Sequence, residues 1–440
     1  MLNKSMSPKN LSKIFDELFP ILRSITGPGY LQSLRIIGRH IKFKYIKYKS
    51  GSKIFDWNIP NEWHFKDGYI KNLRGKKIVD VKKNNLHILN YSTSVDKKIS
   101  IGELKNHLYT MPNYPQAIPY STSYYKKNWG FCISYNQQKK LKDKFYKVKI
   151  NAKFKKGNLI NGVSTIKGNS KKINLITSYL CHPSMANNEL SGPLVMLGLY
   201  EKIKKWKNRN YTYKFLINPE TIGSLCFIFS EKKNLMKNLN TGLVLTCLGG
   251  PKKILSYKKS RMGLSNLDRL YTFLNKKKKY YIREFTPNGS DERQYCSGEL
   301  NLPVGQISRT IYHQFKEYHT SKDDKKFMNI DQICRSIEQI YEVIKINDNI
   351  YPLKRYIPFG EYQLGKRDLY YNVNTHSTRN YSSDNLKDKS KQLYILKNIL
   401  SYADGKNDIL SISEKTNISL EDLINVLNLC LEKRLIKKFK

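Results

Sequence analysis

Acidic side chains are in short supply: 35 Asp and Glu face 79 Lys and Arg, leaving a formal charge of +44 over 440 residues. Nucleic acid, an anionic membrane surface and an acidic substrate would all gain from such a field. The lysines, however, come in pairs and short runs along the whole chain (Lys42 to Lys49, Lys139 to Lys156, Lys276 to Lys279). That spread reads as lysine filling solvated positions more than as one docking patch. Close cysteine pairs are missing too. Cys132, Cys181, Cys226, Cys247, Cys296, Cys334 and Cys430 form no CxxC, and an odd number cannot all pair within one chain, so thiols in a reducing compartment are expected. No run approaches the ~20 apolar residues that span a bilayer. Met1 to Gly27 carries no apolar core ahead of a small-residue cleavage site. These absences lead us to expect a soluble, cytoplasmic protein with no membrane partner.

A hydrophobic content of 40% with 12% aromatics excludes a wholly disordered chain, and the length suits two or three domains of ~100 to 200 residues. Leu11, Ile14, Phe15, Leu18, Phe19 and Leu22 recur at helical spacing. After Gly27-Pro28-Gly29 a second amphipathic run covers Tyr30 to Ile41, so the spacing predicts a helical hairpin. From Phe55 to about Ile150 the pattern changes to short alternating segments at Lys77 to Val81, Leu86 to Tyr91 and Tyr146 to Ile150, the signature of a small antiparallel β domain. Beyond it, apolar strands at Ile173 to Leu180, Tyr213 to Ile217, Leu243 to Leu248 and Leu302 to Ile307 alternate with helical patterns that include Leu264 to Leu274 and Phe327 to Ile346. One helix opens at Ser191-Gly192-Pro193, with Pro in its first turn. This alternation predicts an α/β domain whose mostly parallel sheet is flanked by helices. Helices at Leu393 to Leu400, Ile409 to Glu414 and Leu420 to Leu431, followed by a basic end, read as a winged helix behind a polar linker from Asn372 to Lys391.

Chemistry has four candidate segments and no HExxH motif. In Cys181-His182-Pro183, a strand delivers His182 to its C-terminal end, where open α/β sheets bind ligands, and Asn187-Asn188-Glu189 leads into the next helix. Another strand ends at Asn218-Pro219-Glu220-Thr221, which suits Glu220 as a general base. Asn288 to Arg293 offers Asp291, Glu292 and Arg293, and Glu317 to Asp324 supplies a second imidazole, His319. Two histidines from separate loops, with carboxylates between them, meet the requirements of a zinc site. Each piece also has a structural reading: a satisfied histidine, a helix-capping carboxylate, an Asp–Arg pair on a surface loop. The segment Ser256 to Arg261, basic and rich in hydroxyls, suits either anion or sugar recognition or a solvated turn.

Taken in order, the segments Arg23 to Gly29, Cys181 to Pro193, Pro219 to Ser224, Gly289 to Glu292 and Glu317 to Asp323 resemble a bacterial aminopeptidase-like family long catalogued as a domain of unknown function. That family is related to the co-catalytic zinc aminopeptidases and is often encoded among surface-polysaccharide biosynthesis genes. The resemblance spans nearly the whole chain. It implies a zinc aminopeptidase-like α/β domain (1–54 and 151–375), an inserted β domain (55–150) and a C-terminal winged helix (388–440). It places His182 and His319 at metal-binding histidines and Glu220 at the general base. It also puts Asn188 at the carboxylate that bridges two zinc ions, Thr221 at a metal-binding Glu, and Cys247 at a metal-binding Asp. A neutral amide cannot offset two dications, so one zinc ion is expected rather than two, with Glu189, Glu220 or the Cys247 thiolate completing it. Asp291, Glu292 and Arg293 are then expected to hold substrate.

The expected activity is metal-assisted hydrolysis of a peptide or of an amide-bearing small molecule, linked through the resemblance to surface polysaccharide. The alternative is a binding or scaffold protein that kept the fold and lost turnover. Nucleic acid is a weak expectation, because the helix Leu420 to Leu431 carries Glu421 and Asp422 and no basic side chain. Packing on the catalytic domain or homo-oligomerisation suits the winged helix better.

Overall fold

Ser7 starts the first helix, α1 (Pro8–Leu18), by accepting the Asn10 amide on its hydroxyl at 3.4 Å. Leu11, Ile14, Phe15 and Leu18 form its buried face. The hairpin turn then needs Gly27: its φ is +91°, and a Cβ there would lie 2.2 Å from the Trp63 carbonyl oxygen. Pro28 opens α2 (Pro28–Gly38), three residues short of the expected end. The computed structural model describes residues 6–277, 279–370 and 383–438.

After β1 (Lys44–Lys49), the chain builds a four-stranded antiparallel sheet from β2 (Glu62–Asn72), β3 (Lys77–Asp80), β4 (Val95–Ser100) and β5 (Phe145–Lys155), in the order β3-β2-β5-β4. Its inner face packs Ile70, Val79, Ile99, Val148 and Ile150 with Trp63. The expected strand at Leu86 to Tyr91 does not form. Asn84 instead caps a short 3-10 turn at Asn85–His87, Tyr91 takes a left-handed conformation, and the segment pairs only through isolated bridges.

The remaining strands of the first unit are β6 (Asn158–Ile166), β7 (Ile173–Tyr179), β8 (Thr212–Asn218), β9 (Leu239–Leu245), β10 (Leu255–Lys258), β11 (Tyr280–Arg283) and β12 (Val304–Ser308). With β1 they form an eight-stranded sheet ordered β1-β6-β8-β7-β9-β12-β10-β11. Its four central strands, β8-β7-β9-β12, are mutually parallel, and antiparallel pairs flank them. Every residue of β7 is buried, as a strand covered on both faces requires. α3 (Ser191–Lys204) leads from β7 to β8, and α4 (Ile222–Asn238) leads from β8 to β9 on the opposite side of β7. The connections therefore diverge at the C-terminal end of β7, which opens a crevice there. The first unit runs from Met1 to Tyr341, so its boundary falls within α5 (Ile330–Asn347).

The second unit runs from Glu342 to Lys440. It holds β13 (Leu353–Arg355), α6 (Ser383–Tyr402), α7 (Ile409–Thr416), α8 (Leu420–Glu432) and β14 (Ile436–Lys438), with β13 and β14 paired antiparallel. Leu396, Ile399, Leu410, Leu423 and Leu427 are buried within it. α6 is much longer than the expected Leu393 to Leu400, so it absorbs the end of the expected linker. Residues 372–382 of that linker lie outside the described residues. Among the described residues no helix is long and apolar enough to cross a membrane.

Candidate active site

His182 enters the crevice because β7 ends at Tyr179 and the chain turns at Leu180-Cys181. Three contacts fix it. Arg23, fully buried, donates from Nε to the His182 carbonyl at 2.8 Å, and from Nη1 to the Leu18 carbonyl and the Ser33 hydroxyl. Glu189 Oε1 accepts the His182 amide at 2.9 Å and the Cys181 amide. Glu189 Oε2 takes Nδ1 of the ring at 2.6 Å. Burial alone would lower the imidazole pKa, but Cys181 and Glu189 hold it well above its usual range. Because Nδ1 is engaged, Nε2 is the free nitrogen, and it lies 3.6 Å from Glu220 Oε2.

Glu189 belongs to a π-helical turn, Ala186–Leu190, between the His182 loop and α3. Asp323 caps that turn from a distant loop, accepting the Asn187 and Asn188 amides at 2.7 and 2.8 Å. Burial pushes the Asp323 carboxyl up to about 7, against these two hydrogen bonds. Glu220 follows β8 directly. Its side chain is 27% exposed, its Oε1 accepts the Ser290 hydroxyl at 2.6 Å, and the enclosing walls raise its pKa. His319 comes from the loop after β12; its ring centre lies 5.3 Å from that of His182 and stacks on Tyr318 at 4.0 Å. Burial drives its pKa well below the usual value, helped by His182. Four residues of these loops, Ser184, Thr221, Cys247 and His319, sit at φ of 48°, 65°, 52° and 52°, a region that residues other than glycine rarely adopt.

Several expected site residues turn away from the crevice. Asp291 accepts from the Asn218 side chain, the Thr221 amide and the Ser224 hydroxyl, and burial raises its carboxyl to about 7. Glu292 makes an ion pair at 2.9 Å with Lys258, both side chains fully buried. Arg293 alone of this trio lines the cavity, donating to Thr221 Oγ1 at 3.2 Å and leaving Nε unpartnered. In the Ser256 to Arg261 segment, Ser256 and Lys258 are buried in β10 and Ser260 is engaged by Asp268, which leaves little of it to recognise a ligand.

The positions expected to hold a second metal are neutral. Asn188 Oδ1 lies 3.9 Å from Cys247 Sγ, Asn188 Nδ2 has no partner, and burial raises the Cys247 thiol pKa. Among the described residues, one group of three bears potential ligand atoms within 4.8 Å of one another: Cys181, His182 and Glu189. Glu189 there already has both oxygens committed, and burial pushes the Cys181 thiol up to about 12. The donors that face the cavity are His182 Nε2, the His319 imidazole and Glu220. His182 Nε2 and Glu220 Oε2 lie 3.6 Å apart, and His319 does not join them within 4.8 Å of both; the two imidazoles are donors of the kind zinc takes, and nothing here fits two ions.

The cavity has a volume of about 510 Å³. Sequence reasoning missed its second wall, which comes from the inserted segment: Trp57, Tyr109, Tyr120, Tyr124 and Tyr125. The aromatic and hydroxyl-rich stretch Tyr120-Ser121-Thr122-Ser123-Tyr124-Tyr125 was its visible signal. Tyr120 joins wall to floor: its amide donates to the His319 carbonyl at 2.8 Å, and its ring centre lies 4.8 Å from that of His182.

The model of a domain of unknown function, DUF4910, matches residues 12–349. The chain belongs to the DUF4910 family. A winged helix-turn-helix model matches residues 351–438 of this DUF4910 chain. A Clostridium acetobutylicum protein named as a polysaccharide biosynthesis protein with an aminopeptidase-like domain is 38% identical over 418 residues, covering 94% of this chain and 93% of the relative. A crystal structure named as a peptidase from the same organism superposes with a TM-score of 0.85 at 35% identity, covering 98% of this chain and 96% of the other. BSAP, a zinc aminopeptidase from Bacillus subtilis, shares the fold at a TM-score of 0.54 and 13% identity, over 77% of this chain and 94% of its own. The architecture is thus that of the aminopeptidases, with a C-terminal winged helix.

Proposed function

We propose that this DUF4910 chain is an aminopeptidase-like hydrolase that cleaves an amide bond with one zinc ion held by His182 and His319 and with Glu220 as general base. The alignment Glu189 Oε2–Nδ1 at 2.6 Å, with Nε2 on the opposite edge of the ring 3.6 Å from Glu220, carries this reading. A carboxylate behind an imidazole fixes its tautomer and turns its other nitrogen toward a ligand. Zinc bound there supplies a Lewis acid for a carbonyl and lowers the pKa of water. Glu220 keeps Oε1 on Ser290 and offers Oε2 to the proton of an attacking water, then returns that proton to the leaving nitrogen. The name of the Clostridium relative supports a substrate from polysaccharide biosynthesis, and the unpaired thiols support a cytoplasmic location.

Neutral Asn188, Thr221 and Cys247 favour a second reading, a binding protein without turnover. Elemental analysis of the purified chain beside His182→Ala and His319→Ala separates the two. About one equivalent of zinc, lost in both variants, is expected for the hydrolase; metal-free, folded wild type would leave the binding protein.

A further inference from the structure

The charges of the cavity narrow what can enter it. Among the described residues that line it, Glu220 is the one carboxylate and Arg293 the one guanidinium or ammonium group. Glu189 and Asp291 stand behind the wall with their oxygens engaged by backbone and side-chain donors. A peptide with a free amino terminus brings a cation, since such amines titrate near pH ~8. Enclosed without an anion, that cation carries a large desolvation cost. Paired with Glu220, it would occupy the oxygen needed for proton transfer. Arg293 poses the opposite demand: its Nε is buried and has no acceptor. Opposite the base, Tyr125 is 60% exposed, and its ring meets Trp57 at 5.1 Å, edge to face. The two ring planes stand at 75° to each other, so the pair forms an apolar corner in which one ring face can take the CH face of a sugar or another ring.

Resting on the hydrolase reading above, we infer that the substrate is an N-acylated compound without a free ammonium group, that its carboxylate or phosphate meets Arg293, and that its ring lies on Trp57 and Tyr125. Hydrolysis would then consume one water. The hydroxyl joins the acyl carbon, the C–N bond breaks, and the proton reaches the departing amine through Glu220. Arg293, Trp57 and Tyr125 select the substrate and take no part in the bond changes.

Calorimetric titration of the full chain tests this with four probes: N-acetylphenylalanine, N-acetylglucosamine 1-phosphate, neutral N-acetylphenylalaninamide and cationic phenylalaninamide. The first two share the required chemistry and separate an amino-acid source from a sugar source. At least one of them should bind roughly 10-fold or more tightly than both the neutral and the cationic probe. That margin should vanish in Arg293→Gln and return in part in Arg293→Lys. Tighter binding of phenylalaninamide, no binding of either anionic probe, or an unchanged margin in a folded Arg293→Gln protein overturns the inference. The wild-type comparison decides the matter even if a variant misfolds. Turnover of free-amino peptides would remove the inference and keep the hydrolase, whereas anion-selective binding without metal or turnover would do the reverse.

Discussion

The two walls of the cavity are built on different physical terms. The floor, from the ends of β7 and β8 and the loop after β12, is held by charge-assisted hydrogen bonds to buried backbone: Arg23 on the His182 carbonyl, Glu189 on two amides, Asp323 on two more. The opposite wall, from the insert, is held mainly by ring contacts, such as Tyr91–Tyr124 at 5.6 Å and Trp57–Tyr125 at 5.1 Å. Hydrogen-bonded buried groups have one good arrangement, while ring packing tolerates several. On the proposed function, reaction chemistry would reside on the stiff side and selection on the adaptable one.

The sharpest way to separate the two is Glu220→Gln. Turnover should fall by about 10²- to 10⁴-fold with unfolding free energy little changed, measured by steady-state kinetics beside urea denaturation. Next in size, Glu189→Ala should cost about 3–5 kcal/mol in urea unfolding, because it strands two buried amides and frees the His182 ring. Zinc content should drop with it. Equal stability in this variant would show that the floor is not held as described.

A pH series tests the same floor more gently. Folding raises the Asp291 carboxyl to about 7, so between roughly pH 4 and pH 7 the folded state binds more protons than the unfolded one. Its contribution is therefore fully present below the unfolded value and is lost as pH rises toward 7. Relative to wild type, Asp291→Asn should gain stability across that window by up to about 1.4 kcal/mol per pH unit. A difference independent of pH, in thermal melts, would contradict the assignment. Smallest of all, Tyr125→Leu should shift stability by no more than about 0.5 kcal/mol. It should weaken ligand binding by about 1 kcal/mol in calorimetry, since the ring is mostly exposed yet faces the cavity.

The sequence pattern reached the sheet well because its central strands are continuous apolar runs: Ile173 to Leu180 was expected and Ile173–Tyr179 is found, while Tyr213 to Ile217 lies within Thr212–Asn218. It missed the end of β9, where Leu243 to Leu248 looked like strand. There Cys247 swings into the left-handed region, and apolar character alone carries no mark of that turn. Among site residues, the segments that mattered were visible, but what each oxygen does was not. Asp323 lies 135 residues from the Asn188 amide it caps, and Ser290 lies 70 residues from Glu220. Such pairings are set by tertiary packing, which neither spacing nor periodicity encodes. Glu189 drew attention as a metal ligand because it is acidic and near His182; its actual partner is the far side of that same ring.

Ser184, Thr221, Cys247 and His319 also set a limit on how this protein can be engineered for heat tolerance. Each keeps a side chain where glycine would be comfortable, so the surrounding fold carries a local penalty of order 1–3 kcal/mol per position. Substituting glycine at Thr221 relieves that penalty and is expected to raise the melting temperature. The same change releases the turn that aims Glu220. Selection for robustness alone would therefore drift toward a hardier molecule with a slacker cavity rim.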